Sequence, residues 1–144
     1  MTVVPLEADH LDAIAVLEEQ AGDVRWTRAQ FARELELPFS CFRVGLEKNQ
    51  VIGYGGFWAV AGEAQITNLV IAPDFRRQGL GRQLIEGLLQ FARDRGCTWV
   101  TLEVRENNPA AQGLYRKMGF KATGRRPAAY EHPTDAAVLM EKLL

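Results

Sequence analysis

The sequence is short of the features that mark several large protein classes. It has only two cysteines, Cys41 and Cys97, among 144 residues, too few for a disulfide framework or a complete zinc site. Two histidines, His10 and His132, raise the number of candidate zinc ligands to four, but none stands at metal-ligand spacing from another. We therefore expect no metal centre, and this cysteine usage suits a reducing cytoplasm.

Long apolar runs and an excess of charge of one sign are also missing. No continuous apolar stretch approaches the length of a membrane span, and the start, Met1–Pro5, lacks the basic and apolar regions of a secretory signal. The formal net charge is −1, so no bulk field attracts the surface to nucleic acid or to an anionic membrane. We expect neither as a direct partner, and any phosphate-bearing ligand would have to be bound locally.

The composition is that of an ordinary globular domain. Apolar residues make up 47% and charged residues 24%, close to the averages for such proteins. A chain of this length can bury one proper core. No repeat, low-complexity tract or flexible linker interrupts it, so we predict a single domain over residues 1–144.

Hydrophobic periodicity predicts strands mixed with helices. The predicted strands are Val3–Leu6, Cys41–Glu47, Val51–Ala61, Ala64–Ile71, Trp99–Val104, Phe120–Arg126 and Ala136–Leu143. The predicted helices are one from Leu11 to a stop at Gly22, a short one capped by Thr27 and Gln30, an amphipathic one ending near Gly96, and Pro109–Met118. This order indicates an α/β or α+β sheet with helices packed on it.

The segment Arg76–Arg82 is the most informative stretch, because it lies between a predicted strand and a long helix. The first amides of a helix lack intrahelical partners and favour anions. Gly79 and Gly81 let the backbone approach a bulky anion, and three arginines add positive charge. The segment lacks the GK[ST] ending of a Walker A loop and the third glycine of a dinucleotide loop. It is suited to a pyrophosphate, although a solvated basic turn remains the plain alternative.

This segment resembles the coenzyme A loop of the GNAT acetyltransferases, whose pattern is Arg/Gln-x-x-Gly-x-Gly/Ala. Arg76, Gly79 and Gly81 fill its specified positions, and Asn68–Phe75 is similar to the strand that leads into it. The resemblance implies that acetyl-coenzyme A (acetyl-CoA) is the co-substrate. By the same resemblance, its pantetheine arm would bind backbone groups of Leu69, Val70 and Ile71, and its pyrophosphate the amides of Arg77, Gln78, Gly79, Leu80, Gly81 and Arg82.

A second block carries a more specific resemblance. Leu102–Arg105, Asn107–Asn108 and Leu114–Phe120 match the GNAT pattern. The Leu-Glu-Val-Arg start is similar to the branch that acetylates the N-terminal alanine of a small-subunit ribosomal protein. The two blocks span roughly the C-terminal half of the chain, and the first sixty residues match loosely. The resemblance implies the GNAT fold, with a mixed, mostly antiparallel sheet of about seven strands and about four flanking helices.

The implied reaction needs a proton acceptor, because a protonated amine is not a nucleophile and an α-amino group has a pKa of about 7.7–8.0. Glu103 occupies the position of the base in the similar enzymes. Its place near the carboxyl end of an apolar strand predicts a ligand crevice and partial burial, which would raise the pKa of the carboxyl group. The alternative is a glutamate on the exposed face of an edge strand.

The implied reaction also needs a proton donor for the departing thiolate, and Tyr115 occupies that position in the family. A core tyrosine with a satisfied hydroxyl is the alternative. Asn108 matches the cofactor-contacting asparagine, or is simply a helix N-cap. Cys97 has no histidine nearby in sequence, so we favour direct attack of the amine on the thioester over an acyl-enzyme.

Trp26 and Tyr130 are the candidate acceptor-binding residues, although both could instead be packing aromatics. Here the chain departs from the related branch. Pro127–Ala129 precedes a single tyrosine, Tyr130, where two adjacent tyrosines are typical. Arg25 stands before Trp26, where the related branch usually has a proline. The function implied is N-terminal protein acetylation. A GNAT enzyme acting on lysine or a small amine, and a non-catalytic acyl-CoA sensor, remain the alternatives.

Overall fold

The computed structural model describes residues 1–144 and confirms the predicted mixture of strands and helices. The seven strands are β1 (Thr2–Pro5), β2 (Ser40–Glu47), β3 (Gln50–Val60), β4 (Glu63–Ile71), β5 (Trp99–Arg105), β6 (Lys121–Tyr130) and β7 (Asp135–Leu143). They form one sheet in the order β1-β2-β3-β4-β5-β7-β6. The predicted end of β6 at Arg126 is wrong, because the strand continues to Tyr130 beyond a register shift.

Four α-helices flank the sheet, as predicted. They are α1 (Leu11–Ala21), α2 (Arg28–Glu34), α3 (Leu80–Asp94) and α4 (Pro109–Lys117). The capping box predicted for α2 is present, since Thr27 Oγ1 accepts from the Gln30 amide and Gln30 Oε1 accepts from the Thr27 amide. Leu35 is the C-cap residue of this helix. None of the four helices combines the length and the apolar character needed to cross a bilayer.

The sheet is antiparallel except between β4 and β5, where it opens. These two strands pair in parallel over three positions only, from Glu63 with Trp99 to Gln65 with Thr101. Beyond Gln65, β4 continues to Ile71 and β5 to Arg105 without pairing with each other. The β4 backbone beyond that point therefore has a free edge toward β5, and such an edge offers unpaired amides and carbonyls.

The sheet is covered on both faces. Neighbouring residues of a strand point to opposite faces, and on β3 the fully buried Tyr54 contacts α1 through Glu18 while Gly55 lies against Leu88 of α3. One hydrophobic core therefore lies under α1 and α2. The other lies under α3 and includes Tyr115 of α4.

The core under α1 contains a carboxylate, that of Glu18, which has no basic partner. Glu18 is 0% exposed and accepts a hydrogen bond from the Tyr54 hydroxyl. Its carboxylate also accepts from Asn68 Nδ2 at 3.4 Å and from the Trp26 amide at 3.2 Å. A buried charge is costly unless hydrogen bonds compensate it, so these three donors are what allow a carboxylate here.

Gly22 is needed beside this carboxylate for space and not for its backbone conformation. Its φ of −80° and ψ of 144° suit any residue, but a Cβ at this position would lie 2.3 Å from Glu18 Cδ. We expect Gly22→Ala to displace the carboxylate and lower the free energy of unfolding by about 1–3 kcal/mol, as overpacking does. Urea unfolding followed by far-UV circular dichroism measures this.

Gly113→Ala is the matched control. A Cβ at Gly113, inside α4, meets nothing within 4 Å, so we expect unchanged stability or a gain of up to about 1 kcal/mol from helix propensity. Equal stability of Gly22→Ala and the wild type would contradict this account of the buried carboxylate.

Candidate active site

The opening between β4 and β5 forms a cleft of about 720 Å³, here named the splay cleft. Its walls come from β4, the start of α3, β5 and α4. The predicted site residues that line it are Leu69, Val70, Ile71, Arg77, Gly79, Gly81, Arg82, Glu103, Asn108, Tyr115 and Tyr130. The structure thus brings both halves of the predicted site, separated in sequence, to one cavity.

The glycine-rich loop begins α3 in the geometry that an anion site needs. Gly79 is the N-cap of the 15-residue helix and has φ +77°, in the left-handed region that glycine adopts without strain. The helix N-terminus exposes amides without intrahelical partners and the positive end of the dipole. Arg76 Nε donates to the Ile71 carbonyl at 3.2 Å and so ties the loop to the end of β4.

Two residues of the loop contribute no side chain to the splay cleft. The exposed Gln78 side chain lies near the Asp74 carbonyl, with Nε2 at 3.5 Å, and the Leu80 side chain is buried in the core. Neither is among the residues that line the cleft. Their predicted roles therefore depend on backbone amides alone.

Glu103 lies in the splay cleft, but the expected partial burial is wrong. Along β5 the side chains of Leu102 and Val104 point into the core, and that of Glu103 points the other way. The residue is exposed, and 37% of its side chain is accessible. Arg126 binds both carboxylate oxygens, with Nε to Oε1 at 3.0 Å and Nη2 to Oε2 at 2.5 Å. A carboxylate has about four acceptor positions, so this ion pair leaves roughly two free.

Tyr115, on α4, lines the same cleft. It is 7% exposed, and its ring packs edge-on against Phe120 at 5.6 Å. Burial raises the pKa of Tyr115 well above the usual range, because the charged phenolate is disfavoured away from water. The hydroxyl is therefore protonated at neutral pH and able to donate.

Asn108 lines the splay cleft and is also a helix cap. Its Oδ1 accepts from the Ala111 amide at 3.1 Å, as an N-cap residue does. The capping alternative is thus confirmed. Cys97, by contrast, lines neither this cleft nor the groove described next, and burial raises the pKa of its thiol. The structure thus offers no thiolate nucleophile at the site.

A second cavity of about 900 Å³ adjoins the splay cleft and is named the hairpin groove, because the β6–β7 hairpin forms one of its sides. The α1–α2 loop, residues 22–27, borders it as well. Trp26 lines the groove and packs on Phe31 at 5.4 Å and on Trp58 at 6.3 Å. It is therefore both a packing aromatic and part of the groove wall.

The two cavities share a wall. The residues that line both are Asp23, Val24, Ile66, Thr67, Leu102, Glu103 and Tyr130. Tyr130 is half-buried in this wall, and burial together with the nearby Asp23 and Glu103 carboxylates raises its pKa to about 12. Ligands bound in the two cavities would meet at this wall, next to the Glu103 carboxylate.

Three polar residues of the site were not predicted from the sequence. Glu18 and Asn68 line the splay cleft, and Arg105 fastens the loops beside the groove. Glu18 carried a signal, because it follows Ile14 by four positions and so lies on the apolar face of α1. Asn68 and Arg105 stand inside segments that resemble the family, but their contacts are long-range, so no local pattern predicted what these side chains hold together.

Comparison with known proteins places this geometry in a family. The acetyltransferase (GNAT) family model matches residues 10–120. A putative ribosomal protein bS18-alanine N-acetyltransferase of Bacillus subtilis (strain 168) is 32% identical over 136 residues, covering 94% of this chain and 90% of its own. The bS18-alanine N-acetyltransferase of Escherichia coli (strain K12) is 34% identical over 126 residues, covering 87% and 84%.

A solved structure of an enzyme with the same name has the same fold. The crystal structure of the ribosomal-protein-S18-alanine N-acetyltransferase from Escherichia coli has a TM-score of 0.90 and 29% identity, covering 99% of this chain and 92% of that one. The chain belongs to the GNAT family and is an acetyl-CoA-dependent N-acetyltransferase. Within that family it is similar to the RimI-type enzymes, whose names specify an alanine of ribosomal protein bS18.

Gly81→Leu tests the glycine-rich loop, with Gly81→Ala as its control. A Cβ at Gly81 would contact Leu114 Cδ2 at 3.6 Å and Ile71 Cγ1 at 3.9 Å, both ordinary distances, and the family pattern accepts alanine here, so we expect Gly81→Ala to fold and to bind coenzyme A within about twofold of the wild type. A leucine side chain would extend from the wall into the splay cleft, and we expect it to lower coenzyme A affinity about tenfold, or about 1.4 kcal/mol. Isothermal titration calorimetry measures both affinities. Unchanged affinity of Gly81→Leu would place the cofactor away from Gly81.

Proposed function

We propose that this enzyme transfers the acetyl group of acetyl-CoA directly to the α-amine of a protein N-terminus, the N-terminal alanine of ribosomal protein bS18. The observation that carries the proposal is the shared wall of two cavities with a carboxylate in it. One cavity begins at a helix N-terminus suited to a pyrophosphate, and the other is open to an extended peptide. A ribosomal acceptor would place the reaction in the cytoplasm.

The co-substrate is assigned to the splay cleft because its residues fit acetyl-CoA. The free β4 edge at Leu69, Val70 and Ile71 offers amides and carbonyls to the amide groups of a pantetheine arm. The amides of residues 77–82 surround the start of α3 and would bind the pyrophosphate. Asn108 contributes through its position in the wall, since its Oδ1 already caps α4.

Glu103 is assigned as the base, directly or through a water molecule. The acceptor nitrogen forms a bond to the thioester carbonyl carbon, and its proton passes to the carboxylate. Glu103 lies in the wall common to both cavities, so it can reach an amine in the hairpin groove. Its remaining acceptor positions are available because Arg126 occupies only part of the carboxylate.

Tyr115 is assigned as the acid. As the carbon–sulfur bond breaks, the electron pair goes to sulfur, and the Tyr115 hydroxyl supplies the proton to the thiolate. The raised pKa keeps this proton on the tyrosine until it is needed. The base and the acid thus face the reacting atoms from β5 and from α4 respectively.

Trp26 and Tyr130 are assigned to acceptor binding because each contributes a ring to the hairpin groove. Trp and Tyr rings offer a large apolar surface together with a polar group, which is why they are enriched at binding interfaces. The groove lies at the two places where the sequence departs from the related branch, Arg25 and Pro127–Ala129. The breadth of acceptor choice is therefore the property in which this enzyme could differ from its relatives.

Glu103→Gln tests the base. We expect kcat to fall about 10²–10⁴-fold, the usual contribution of general acid–base catalysis, with coenzyme A affinity retained. Glu106→Gln is the matched control, because Glu106 is also an exposed carboxylate paired with an arginine, Arg125, yet lines neither cavity.

Tyr115→Phe tests the acid, and we expect it to lower kcat in the same way as Glu103→Gln. Full rates at saturating peptide across the pH range would rule out these roles.

A peptide panel tests the acceptor. Purified enzyme with labelled acetyl-CoA is offered peptides with alanine and other first residues, a lysine peptide with a blocked N-terminus, and a small amine. We expect label on free N-termini, with alanine preferred. Label on the lysine peptide alone, or on the small amine alone, would show a different acceptor class, and binding without any transfer would indicate a sensor.

A further inference from the structure

Arg105 connects two loops that are far apart in sequence. It is the last residue of β5, and its side chain is 14% exposed. Its Nε donates to Asp23 Oδ1 at 2.7 Å, in the α1–α2 loop. Its Nη1 and Nη2 donate to the backbone carbonyls of Pro133 at 2.8 Å and Glu131 at 3.0 Å, in the β6–β7 loop.

The same guanidinium also fixes an aromatic wall. Its central carbon lies 4.5 Å from the centroid of the Tyr130 ring, within the range of a cation–π interaction. One side chain thus makes contact with three parts of the groove border: Asp23, the Tyr130 ring and the carbonyls of the hairpin loop. Only arginine has a planar fork of donors that can meet a carboxylate and two carbonyls at once.

No hydrogen bond or salt bridge other than those of Arg105 connects the two loops to each other. Asp23 is the only residue of the α1–α2 loop with a salt bridge to the rest of the fold, and that bridge is to Arg105. The β6–β7 loop follows a break in strand pairing between Arg126 and Tyr130. The α1–α2 loop is also held to α1 and to the core, by the Trp26 amide on Glu18 and the Trp26 ring on Phe31, but these contacts do not fix its position relative to the β6–β7 loop. Segments with few fixing contacts open locally.

We propose that Arg105 is a positioning residue for the acceptor: it joins the two loops that border the hairpin groove, so that the groove is formed before the acceptor enters. This inference rests on the proposed function, in which the hairpin groove receives the acceptor. It assigns Arg105 no contact with the reacting atoms. Pre-organisation of this kind increases affinity by removing the cost of ordering loops on binding.

Arg105→Lys tests the inference, because lysine keeps the charge and loses the fork. We expect the KM for an N-terminal alanine peptide to rise about tenfold, while kcat at saturating peptide and the coenzyme A dissociation constant change less than about twofold. Hydrogen exchange, followed by mass spectrometry without any substrate, is expected to accelerate at least about fivefold in residues 22–27 and 131–134.

Arg125→Lys is the matched control. Arg125 also donates through two nitrogens to one carboxylate, that of Glu106, but it bonds no loop carbonyl and lines neither cavity. We expect wild-type values in every measurement for this variant. Asp23→Asn provides a second test that keeps Arg105 and weakens one link only, and its effect on peptide KM should have the same direction and a smaller size.

Three results would overturn the inference. They are a fall in kcat at saturating peptide with unchanged peptide KM, an equal loss of coenzyme A and peptide affinity, and unchanged hydrogen exchange in both loops. If the wild type acetylates lysine or a small amine instead, the proposed acceptor is wrong. The same comparison with that acceptor, and the exchange measurement, then still decide the role of Arg105.

Discussion

The arrangement depends on the short pairing between β4 and β5. Three parallel residue pairs hold the two strands together, and beyond them each strand continues alone. A fully paired sheet would use the backbone groups of β4 for the ladder and leave no space between the strands. The early end of the pairing therefore creates both the cavity and the free backbone edge that lines it.

The early end of the β4–β5 pairing also places side chains from distant elements around the splay cleft. β5 contributes Glu103 to the lining of the opening, and α4 contributes Tyr115. The start of α3 supplies the helix N-terminus with Gly79 in the left-handed conformation. None of these groups is unusual alone, and their proximity follows from the position of the opening in the sheet.

Buried and half-buried polar contacts hold the borders of the two cavities. Glu18 connects α1 to the loop at Trp26 and to Asn68 on β4. Arg105 connects that same loop to the β6–β7 hairpin. Hydrogen bonds of this kind are specific in direction, so they fix the loops where apolar packing alone would tolerate several arrangements.

The sequence by itself determined the elements and the chemistry they carry. Periodicity and caps predicted the helices and most of the strands, because these signals are local. Arg76, Gly79 and Gly81, with the block around Leu102–Arg105, identified the family for the same reason. Local signals could not reveal that β6 continues past Pro127–Ala129 to Tyr130, because that extension depends on pairing with β7.

Only the tertiary structure decided how the candidate residues meet. The exposure of Glu103 and its pairing with Arg126 follow from the order β5-β7-β6, which brings residues 23 positions apart together. The same order assigns Arg125 to Glu106 instead. Burial of a carboxylate at position 18 likewise required Tyr54 and Asn68 to converge on it. Such contacts depend on strand order and register, which the chain determines cooperatively and no short segment encodes.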